Sequence, residues 1–254
     1  MSAEFGDHVG RVALLTGAGG AIGQAIAKQL AAQGATLVLH DLDSEALMSI
    51  SDALPHSGPK HRVVASNLLD LESTRRQVRQ ALEDLGSGAD ILVNCAGVAA
   101  DRRPLEDLDD THVQLQLGVN IVAAIALAQL VIHRMKDRRW GRLINISSTN
   151  GTVGFANASA YNAAKGGLLS LAKGWAKEFG PWQITSNAVA PGLIETPMTK
   201  SYGAETLQAK AATTALGRVG QPNEIAAAVS FLASNAAGYV TGQVISPNGG
   251  AVIT

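Results

Sequence analysis

Short apolar runs alternate with segments of helical periodicity along almost the whole chain, and this order restricts the fold more than any other feature of the sequence. The first two apolar runs span residues 11–15 and 36–40, and a helical pattern at 24–33 lies between them. Because parallel strands are joined by long crossovers, usually helices, the alternation predicts a parallel sheet with helices on both faces. We therefore predict a single α/β domain over residues 1–254, doubly wound around about seven parallel strands.

The remaining elements continue the pattern, with no internal repeat, low-complexity run or linker that would divide the chain. Residues 196–216 are helical in composition but poorly patterned. The other predicted strands span 61–66, 91–94, 142–147, 184–190 and 243–246, and the other predicted helices span 44–54, 71–85, 110–136, 159–178 and 222–233.

The composition limits the classes of partner. The chain has 254 residues, a formal net charge of -1 and 46% hydrophobic residues, which suffices for one sizeable core. The balanced charge offers no broad basic face, so we expect no nucleic-acid partner. The single cysteine, Cys95, excludes an internal disulfide and is typical of a reducing compartment. We predict no metal site.

No stretch of the sequence favours secretion or insertion into a membrane. The first nine residues have neither a basic start nor an apolar run. The most apolar stretch, 117–132, is short for a membrane span and contains Asn120 and Gln129, so it predicts a helix that is buried on most sides. We expect a cytoplasmic protein with no membrane partner.

A glycine-rich turn directly follows the first apolar run and precedes the first helix. It reads Thr-Gly-Ala-Gly-Gly-Ala-Ile-Gly over residues 16–23. Gly17 would allow the tight turn, and Gly23 would let the helix pack close to the sheet. Any tight turn can use glycine, but the order of strand, glycines and helix predicts that a dinucleotide pyrophosphate binds the amides at the helix start.

An acidic residue, Asp41, lies at the end of the second predicted strand, 18 residues after Gly23. A carboxylate there can accept hydrogen bonds from an adenosine ribose and would repel a 2'-phosphate. Because no Arg or Lys lies between Thr16 and Lys28, the pattern predicts NAD rather than NADP as the cofactor. The alternative interpretation is that Asp41 simply caps the next helix.

Three polar residues after the fifth strand form a candidate catalytic group. Tyr161 and Lys165 are four residues apart, so in a helix they share one face, and a nearby cation favours the phenolate form of a tyrosine. Ser148 lies across a glycine-bearing loop, where its hydroxyl can donate a hydrogen bond to the same point. Taken singly, these are an ordinary packed ring, a solvated charge and a turn serine.

In order and spacing, these motifs resemble the short-chain dehydrogenase/reductase family of the compact type of about 250 residues. The resemblance runs from Arg11 to Gly250, and the interval from Ser148 to Tyr161, thirteen residues, matches the family well. It implies a Rossmann-type fold and hydride transfer between a nicotinamide and an alcohol or ketone. The motifs that carry it are residues 16–23, 94–97, Asn120, Ser148, 161–165 and 191–192.

The resemblance also implies a role for each site residue. Tyr161 would be the general acid-base group and Ser148 would hold the carbonyl oxygen, while Lys165 would bind the nicotinamide ribose and lower the tyrosine pKa. Asn120 would hold a water in the proton relay. The expected cofactor-binding residues are Gly17, Gly19, Ala21, Ile22, Gly23, Asp41, Asn67, Leu68, Asn94, Ala96, Gly97, Tyr161, Lys165, Pro191, Gly192, Ile194 and Thr196.

Three positions depart from the family pattern. Ala21 stands where the family usually has glycine, Asn67 replaces the usual aspartate near the adenine, and Asn248 replaces the aspartate of a common Asp-Gly-Gly. None of these is one of the four expected catalytic residues.

The substrate is predicted only by class. Residues 196–216 match the variable lid of the family, and Thr149, Asn150, Val153 and Phe155 would line the pocket beside Ser148. This mixture of polar and apolar groups favours a small oxygenated molecule such as a polyol, a sugar or a hydroxy acid derivative.

Two other functions remain open from the sequence. A 3-oxoacyl-(acyl-carrier-protein) reductase resembles the chain closely. Arg139 matches one of its carrier-docking positions, but Trp182 stands where a second arginine is expected, and such reductases mostly use NADPH. A catalytically idle dinucleotide sensor is the other alternative, although it would not need both Ser148 and Tyr161.

The resemblance further implies a homotetramer, because the helices at 110–136 and 159–178 pair between subunits in this family. The apolar face over 123–130 is consistent with such pairing. The alternative is that these faces are buried within one chain.

Overall fold

Seven parallel strands form one sheet, in the order β3-β2-β1-β4-β5-β6-β7, in the computed structural model of the chain. The structure describes residues 7–56, 58–98, 102–200 and 203–253. The strands are β1 (Val12–Thr16), β2 (Thr36–Asp41), β3 (Arg62–Ala65), β4 (Ile91–Asn94), β5 (Gly141–Ile146), β6 (Ile184–Val189) and β7 (Val244–Ile245). The predicted α/β fold, with one parallel sheet of seven strands, is confirmed.

The described part of the chain contains ten α-helices. They are α1 (Ala21–Ala32), α2 (Ser44–Ala53), α3 (Leu71–Glu83), α4 (Asp110–Leu117), α5 (Ala123–Arg138), α6 (Thr149–Val153), α7 (Ser159–Phe179), α8 (Pro197–Lys200), α9 (Ala204–Ala212) and α10 (Pro222–Ala233). The sequence did not predict α6, because five residues with a central glycine carry no helical period.

The side chains of β1 show how both faces of the sheet become buried. Ala13 and Leu15 pack in a cluster that includes Ile26 of α1, whereas Leu14 packs on the opposite face with Leu127 of α5. Successive residues of a strand point to opposite faces, so a strand between two helical layers must be apolar at every position. Each fully buried leucine stabilises the fold by roughly 1.5–3 kcal/mol.

The predicted helix 110–136 is present but is not regular throughout. Gly118–Val122 forms a π-helical segment between α4 and α5. The whole stretch Asp110–Arg138 is long and apolar enough to cross a membrane by length and composition, yet half of its most apolar window is buried inside the fold. Buried core helices of globular proteins meet the same criterion, so this helix is weak support for a membrane span.

The segment predicted as a lid contains α8 and α9. Ser201 and Tyr202 lie outside the described residues, as do residues 1–6. Arg218 forms a two-pronged ion pair with Glu224 just after this segment. Glu224 also accepts from the Gln221 N–H at 2.7 Å, which closes the start of α10.

Candidate active site

The order of the strands creates one place where loops separate and leave a crevice. The chain passes from β1 to β2 and β3 on one side of the sheet, and β4 to β7 continue on the other side. In doubly wound sheets, ligands bind beyond the carboxyl ends of the strands at this switch point. The loops after β1 and β4 border it here.

The turn after β1 needs glycine for steric reasons. Gly17 has a φ of 69°, and a Cβ there would lie 2.7 Å from the Cα of Ala96 in the loop after β4. At Gly23 a Cβ would overlap the carbonyl oxygen of Gly17. Thr16 ties the same two loops together, because its Oγ1 accepts hydrogen bonds from the Cys95 and Ala96 N–H groups, each at 3.1 Å.

The N-terminus of α1 has the features of an anion site. Gly20 is the N-cap, no side chain caps the helix, and the first turn contains no acidic residue. The half-buried residues Ala21 and Ile22 and the buried Gly23 form this first turn. A helix start without a capping side chain presents backbone N–H groups and the positive end of the helix dipole to a ligand.

Asp41 lies beside this turn and does not cap α2. Its Oδ2 accepts from the Gly19 N–H at 2.8 Å, and its Oδ1 accepts from the Leu42 N–H. The N-cap of α2 is Asp43, whose carboxylate accepts from the Ala46 N–H at 3.0 Å. The capping interpretation of Asp41 is therefore wrong, and its carboxylate faces the glycine turn.

Gly97, Asn120 and Lys165 converge from three different parts of the chain. A Cβ at Gly97 would lie 2.7 Å from Oδ1 of Asn120 and 3.1 Å from Nζ of Lys165. Both polar side chains thus end against the backbone of Gly97, at the exposed loop after β4. A larger residue at position 97 would displace them.

The side-chain amide of Asn120 forms hydrogen bonds through its nitrogen but not, among the described residues, through its oxygen. Its Nδ2 donates to the carbonyl oxygen and to Oε1 of Gln116, at 2.9 and 3.0 Å. Its Oδ1 is buried and has no hydrogen-bond partner among the described residues. Because buried amide oxygens nearly always accept a hydrogen bond, this atom marks the place of a water or ligand donor. Its position in the π-helical segment is typical of functional sites.

A small cavity lies beside Asn120. Its volume is about 10 Å³, and its polar lining comes from Thr16, Asn94 and Asn120. That volume holds one water molecule at most.

Lys165 is a buried cation without an acidic partner in the described part of the chain. Only 4% of the residue is exposed, and Nζ donates to the Ile146 carbonyl at 2.9 Å. Burial lowers the pKa of Lys165 to about 8, and the nearby Cys95 acts in the opposite direction. Burial also raises the pKa of Cys95 to about 12, so the thiol stays neutral at physiological pH. Such a perturbed lysine in a crevice is typical of a functional site.

Tyr161 lies one turn before Lys165 on α7, as predicted. Nζ of Lys165 is 5.7 Å from the centre of the tyrosine ring, which is half-buried. The spacing of four residues therefore does place the ammonium beside the phenol ring.

Ser148 is the N-cap of the short helix α6, which lies against α7. Its Oγ accepts from the Asn150 N–H at 3.1 Å. One turn on, a Cβ at Gly151 would lie 2.6 Å from the carbonyl carbon of Lys165, so α6 packs against the backbone of α7. The preceding Ser147 donates to the Lys165 carbonyl at 2.7 Å and fixes α7 to the end of β5. Sequence reasoning missed Ser147, whose only signal is its place at a strand end.

The predicted residues after β6 form a structured wall. The Pro191 carbonyl accepts from the Thr149 N–H at 3.0 Å, and a Cβ at Gly192 would lie 2.8 Å from the Cα of Asn248. Ile194 is buried and pairs with Gly220 in an isolated bridge. The Thr196 N–H donates to Oγ1 of Thr199 at 2.8 Å.

Three further predicted residues lie close to the crevice or below it. Asn67 is exposed and accepts from the Leu69 N–H at 3.0 Å, while Leu68 is buried and lines the small cavity. Asn94 is buried in the sheet, where its Nδ2 donates to Oδ1 of Asn145 at 2.8 Å. The structure thus gives Asn94 a contact inside the sheet that the sequence did not predict.

Comparisons with known proteins find relatives along almost the whole chain. A family profile described as enoyl-(acyl-carrier-protein) reductase matches residues 17–252. The 3-oxoacyl-(acyl-carrier-protein) reductase FabG of Aquifex aeolicus is 38% identical over 246 residues, covering 95% of this chain and 97% of its own. Nodulation protein G of Rhizobium sp. (strain N33) is 40% identical over 241 residues, covering 95% of this chain and 96% of its own.

Solved structures superpose on almost the whole chain as well. A protein described as a putative gluconate dehydrogenase from Agrobacterium tumefaciens superposes with a TM-score of 0.92 at 29% identity, covering 98% of this chain and 99% of its own. One described as a putative short-chain alcohol dehydrogenase from Sinorhizobium meliloti gives 0.91 at 34% identity, with 98% of each chain covered. The chain therefore belongs to the short-chain dehydrogenase/reductase family of oxidoreductases.

Proposed function

We propose that the chain is an NAD-dependent oxidoreductase that transfers hydride reversibly between the nicotinamide and a small secondary alcohol or ketone. The observation that carries the proposal is the buried ammonium of Lys165, 5.7 Å from the centre of the Tyr161 ring. A cation held there without a carboxylate partner in the described residues stabilises a tyrosinate, the base that alcohol oxidation requires.

The residues of the crevice fit a nicotinamide dinucleotide. The uncapped start of α1 suits a pyrophosphate, and the Asp41 carboxylate suits the adenosine ribose. The orphaned Asn120 Oδ1 and the glycine-lined space at Gly97 suit the nicotinamide end. We assign the nicotinamide ribose to Tyr161 and Lys165. The other proposed contacts are Gly17, Gly19, Ala21, Ile22, Gly23, Asn67, Leu68, Asn94, Ala96, Pro191, Gly192, Ile194 and Thr196.

When bound, the nicotinamide supplies the carbon that accepts or gives the hydride. Tyr161 takes the hydroxyl proton during oxidation and returns it during reduction. Ser148 donates a hydrogen bond to the substrate oxygen, where negative charge develops. Lys165 stabilises the phenolate, and Asn120 accepts a hydrogen bond from a water that passes the proton to solvent.

The preference for NAD over NADP rests on Asp41. Its carboxylate lies beside the glycine turn, and no arginine or lysine occurs between Thr16 and Lys28 to neutralise a 2'-phosphate. A like charge next to a phosphate weakens binding, whereas a ribose hydroxyl can donate to the same oxygen.

The substrate we propose is a polyol, a sugar or a hydroxy acid derivative. Thr149 is buried, while Val153 and Phe155 are exposed, so the residues that follow Ser148 combine polar and apolar groups. The Agrobacterium protein is described as a putative gluconate dehydrogenase, and gluconate is a hydroxy acid. A turnover screen of secondary alcohols with NAD and NADP in parallel tests both the proposed substrate class and the proposed cofactor. Turnover with NADP alone would contradict the assignment of Asp41.

A second candidate is 3-oxoacyl-(acyl-carrier-protein) reduction, which the curated relatives favour by name. The surface expected to dock the carrier protein does not favour this candidate, because Trp182 stands where a second arginine is expected. Arg139 donates to the Pro181 carbonyl at 2.8 Å, and Trp182 lies under the ammonium of Lys136 at 4.3 Å. An assay with an acetoacetyl thioester and either NADPH or NADH distinguishes the two candidate functions. Fast reduction with NADPH would favour the second candidate.

We further propose a homotetramer in the cytoplasm, with residues 196–216 as the substrate lid. Most of the face over 123–130 is buried within the chain itself, so it does not support the oligomer. The support comes from Leu115 and Val122, which remain 37% and 44% exposed and leave apolar surface for a second subunit. A monomeric mass by light scattering at micromolar concentration would contradict the oligomer.

A further inference from the structure

Asp41 reaches from the end of β2 into the glycine turn that follows the neighbouring strand β1. Its Oδ2 accepts a hydrogen bond from the Gly19 N–H at 2.8 Å, and its Oδ1 accepts one from the Leu42 N–H at 2.7 Å. Two backbone amides therefore fix both oxygens of one carboxylate. Among the described residues, no lysine or arginine forms an ion pair with it. Hydrogen bonds to a charged acceptor hold a side chain more firmly than neutral ones.

The absence of a side chain at Gly19 leaves room for this carboxylate. A Cβ at position 19 would lie 2.9 Å from Oδ2 and 3.2 Å from Cγ of Asp41. The backbone of Gly19 is not in the left-handed region, so space alone opposes an alanine there. At the adjacent Gly20, a Cβ would meet only the Gly17 carbonyl oxygen, at an ordinary 3.5 Å.

We propose that Gly19 is a positioning residue for cofactor selection: it holds the Asp41 carboxylate at the place that a 2'-phosphate of NADP would occupy. The inference rests on the proposed use of NAD. Asp41 is the group that meets the ribose, and Gly19 acts only through it, by one amide and by having no Cβ.

The physical reason is that discrimination by charge depends on where the charge is held. A carboxylate fixed at the ribose accepts from the 2'-hydroxyl of NAD and repels a phosphate at the same position. A Cβ at position 19 forces the Asp41 side chain to rotate, so the ribose loses its acceptor and the phosphate loses its nearest like charge. Because Coulomb repulsion falls with distance, we expect the ratio of the NADPH and NADH dissociation constants to fall roughly tenfold or more.

The test is direct binding rather than turnover. Fluorescence titration gives the dissociation constants of NADH and NADPH for the wild type, Gly19→Ala and Gly20→Ala, and thermal unfolding verifies that each variant folds. We expect Gly19→Ala to weaken NADH binding and to lower the NADPH/NADH ratio, while Gly20→Ala, in the same turn, keeps the wild-type ratio. An equal shift in both variants would overturn the inference.

A double variant separates a role through Asp41 from a general disturbance of the turn. In an Asp41→Ala background, Gly19→Ala should leave the ratio unchanged, because no carboxylate remains to be displaced. This double variant also has room for the new Cβ, so it folds even if the single variant does not. A further change of the ratio in that background would overturn the inference.

The wild-type dissociation constants show whether the proposed function or only the role of Gly19 is wrong. Wild-type protein that binds NADPH as tightly as NADH would contradict the proposed function and, with it, this inference. A wild-type preference for NADH that survives Gly19→Ala would overturn the inference and leave the proposed function intact.

Discussion

The ammonium nitrogen of Lys165 lies 5.7 Å from the centre of the Tyr161 ring, one turn away on α7. It donates to the Ile146 carbonyl at 2.9 Å, and no carboxylate of the described residues neutralises it. Burying an unpaired ammonium is unfavourable, which is why the pKa of Lys165 falls to about 8. The fold thus gives up stability to hold a cation beside the phenol ring.

Replacing the phenol oxygen should separate binding from chemistry. We expect Tyr161→Phe to lower kcat by about 10²- to 10⁴-fold, the usual contribution of a general acid-base group, while NADH binding stays close to normal. Steady-state kinetics and fluorescence titration measure the two effects. Tyr239→Phe, at a fully exposed tyrosine, is the matched control and should change neither. Turnover that persists in Tyr161→Phe would favour another acid-base group.

Lys165→Met should change how stability depends on pH. The folded-state pKa of about 8 lies below the ordinary lysine pKa of 10.5, so the folded protein binds fewer protons than the unfolded chain between these pH values. The wild type should therefore gain stability as pH rises through this window, by on the order of 3 kcal/mol relative to Lys165→Met. Below pH 8 the cost of burying the ammonium is fully present.

Thermal unfolding of both proteins from pH 7.5 to 10.5 measures this difference. Lys177→Met, at an exposed lysine on the same helix, is the control and should run parallel to the wild type. If the stability of Lys165→Met and of the wild type depended on pH in the same way, the pKa of Lys165 would not be lowered in the folded protein.

Gly97→Ala tests the convergence of Asn120 and Lys165. The new Cβ would stand 2.7 Å from Asn120 Oδ1 and 3.1 Å from Lys165 Nζ, so one of them has to move. Overpacking of this kind costs about 1–3 kcal/mol of stability, and displacing residues of the proposed active site should lower kcat about tenfold or more. Gly174→Ala, where a Cβ meets nothing within 4 Å, should leave kcat unchanged. Equal kinetics for both variants would argue against the convergence.

The Asn94–Asn145 pair should be coupled in stability. Each single alanine variant leaves a buried polar partner without its 2.8 Å hydrogen bond, so we expect each to cost about 1–3 kcal/mol in the free energy of unfolding. The double variant should cost less than the sum of the two. Urea unfolding of the wild type, the two single variants and the double variant completes this double-mutant cycle. Strict additivity of the free-energy changes would mean that the two amides do not interact.

The local parts of the fold and of the site could be predicted from the sequence. The alternation of apolar runs and helical patterns predicted the parallel sheet, because the periodicity of each element depends only on residues that are close in sequence. The spacing of Tyr161 and Lys165 likewise predicted the shared face of α7, and the glycines of residues 16–23 predicted the tight turn before α1. The short helix α6 was missed, since five residues carry too little pattern.

The tertiary structure alone decided how distant residues meet. The bond from Gly19 to Asp41 joins residues 22 apart, and that from Asn94 to Asn145 joins residues 51 apart. No periodic signal spans such separations, because the contacts exist only after the strands have taken their order in the sheet. The burial of Lys165 depends on that order in the same way. The sequence by itself determined which groups are available for chemistry, and packing determined their spacing, burial and charge.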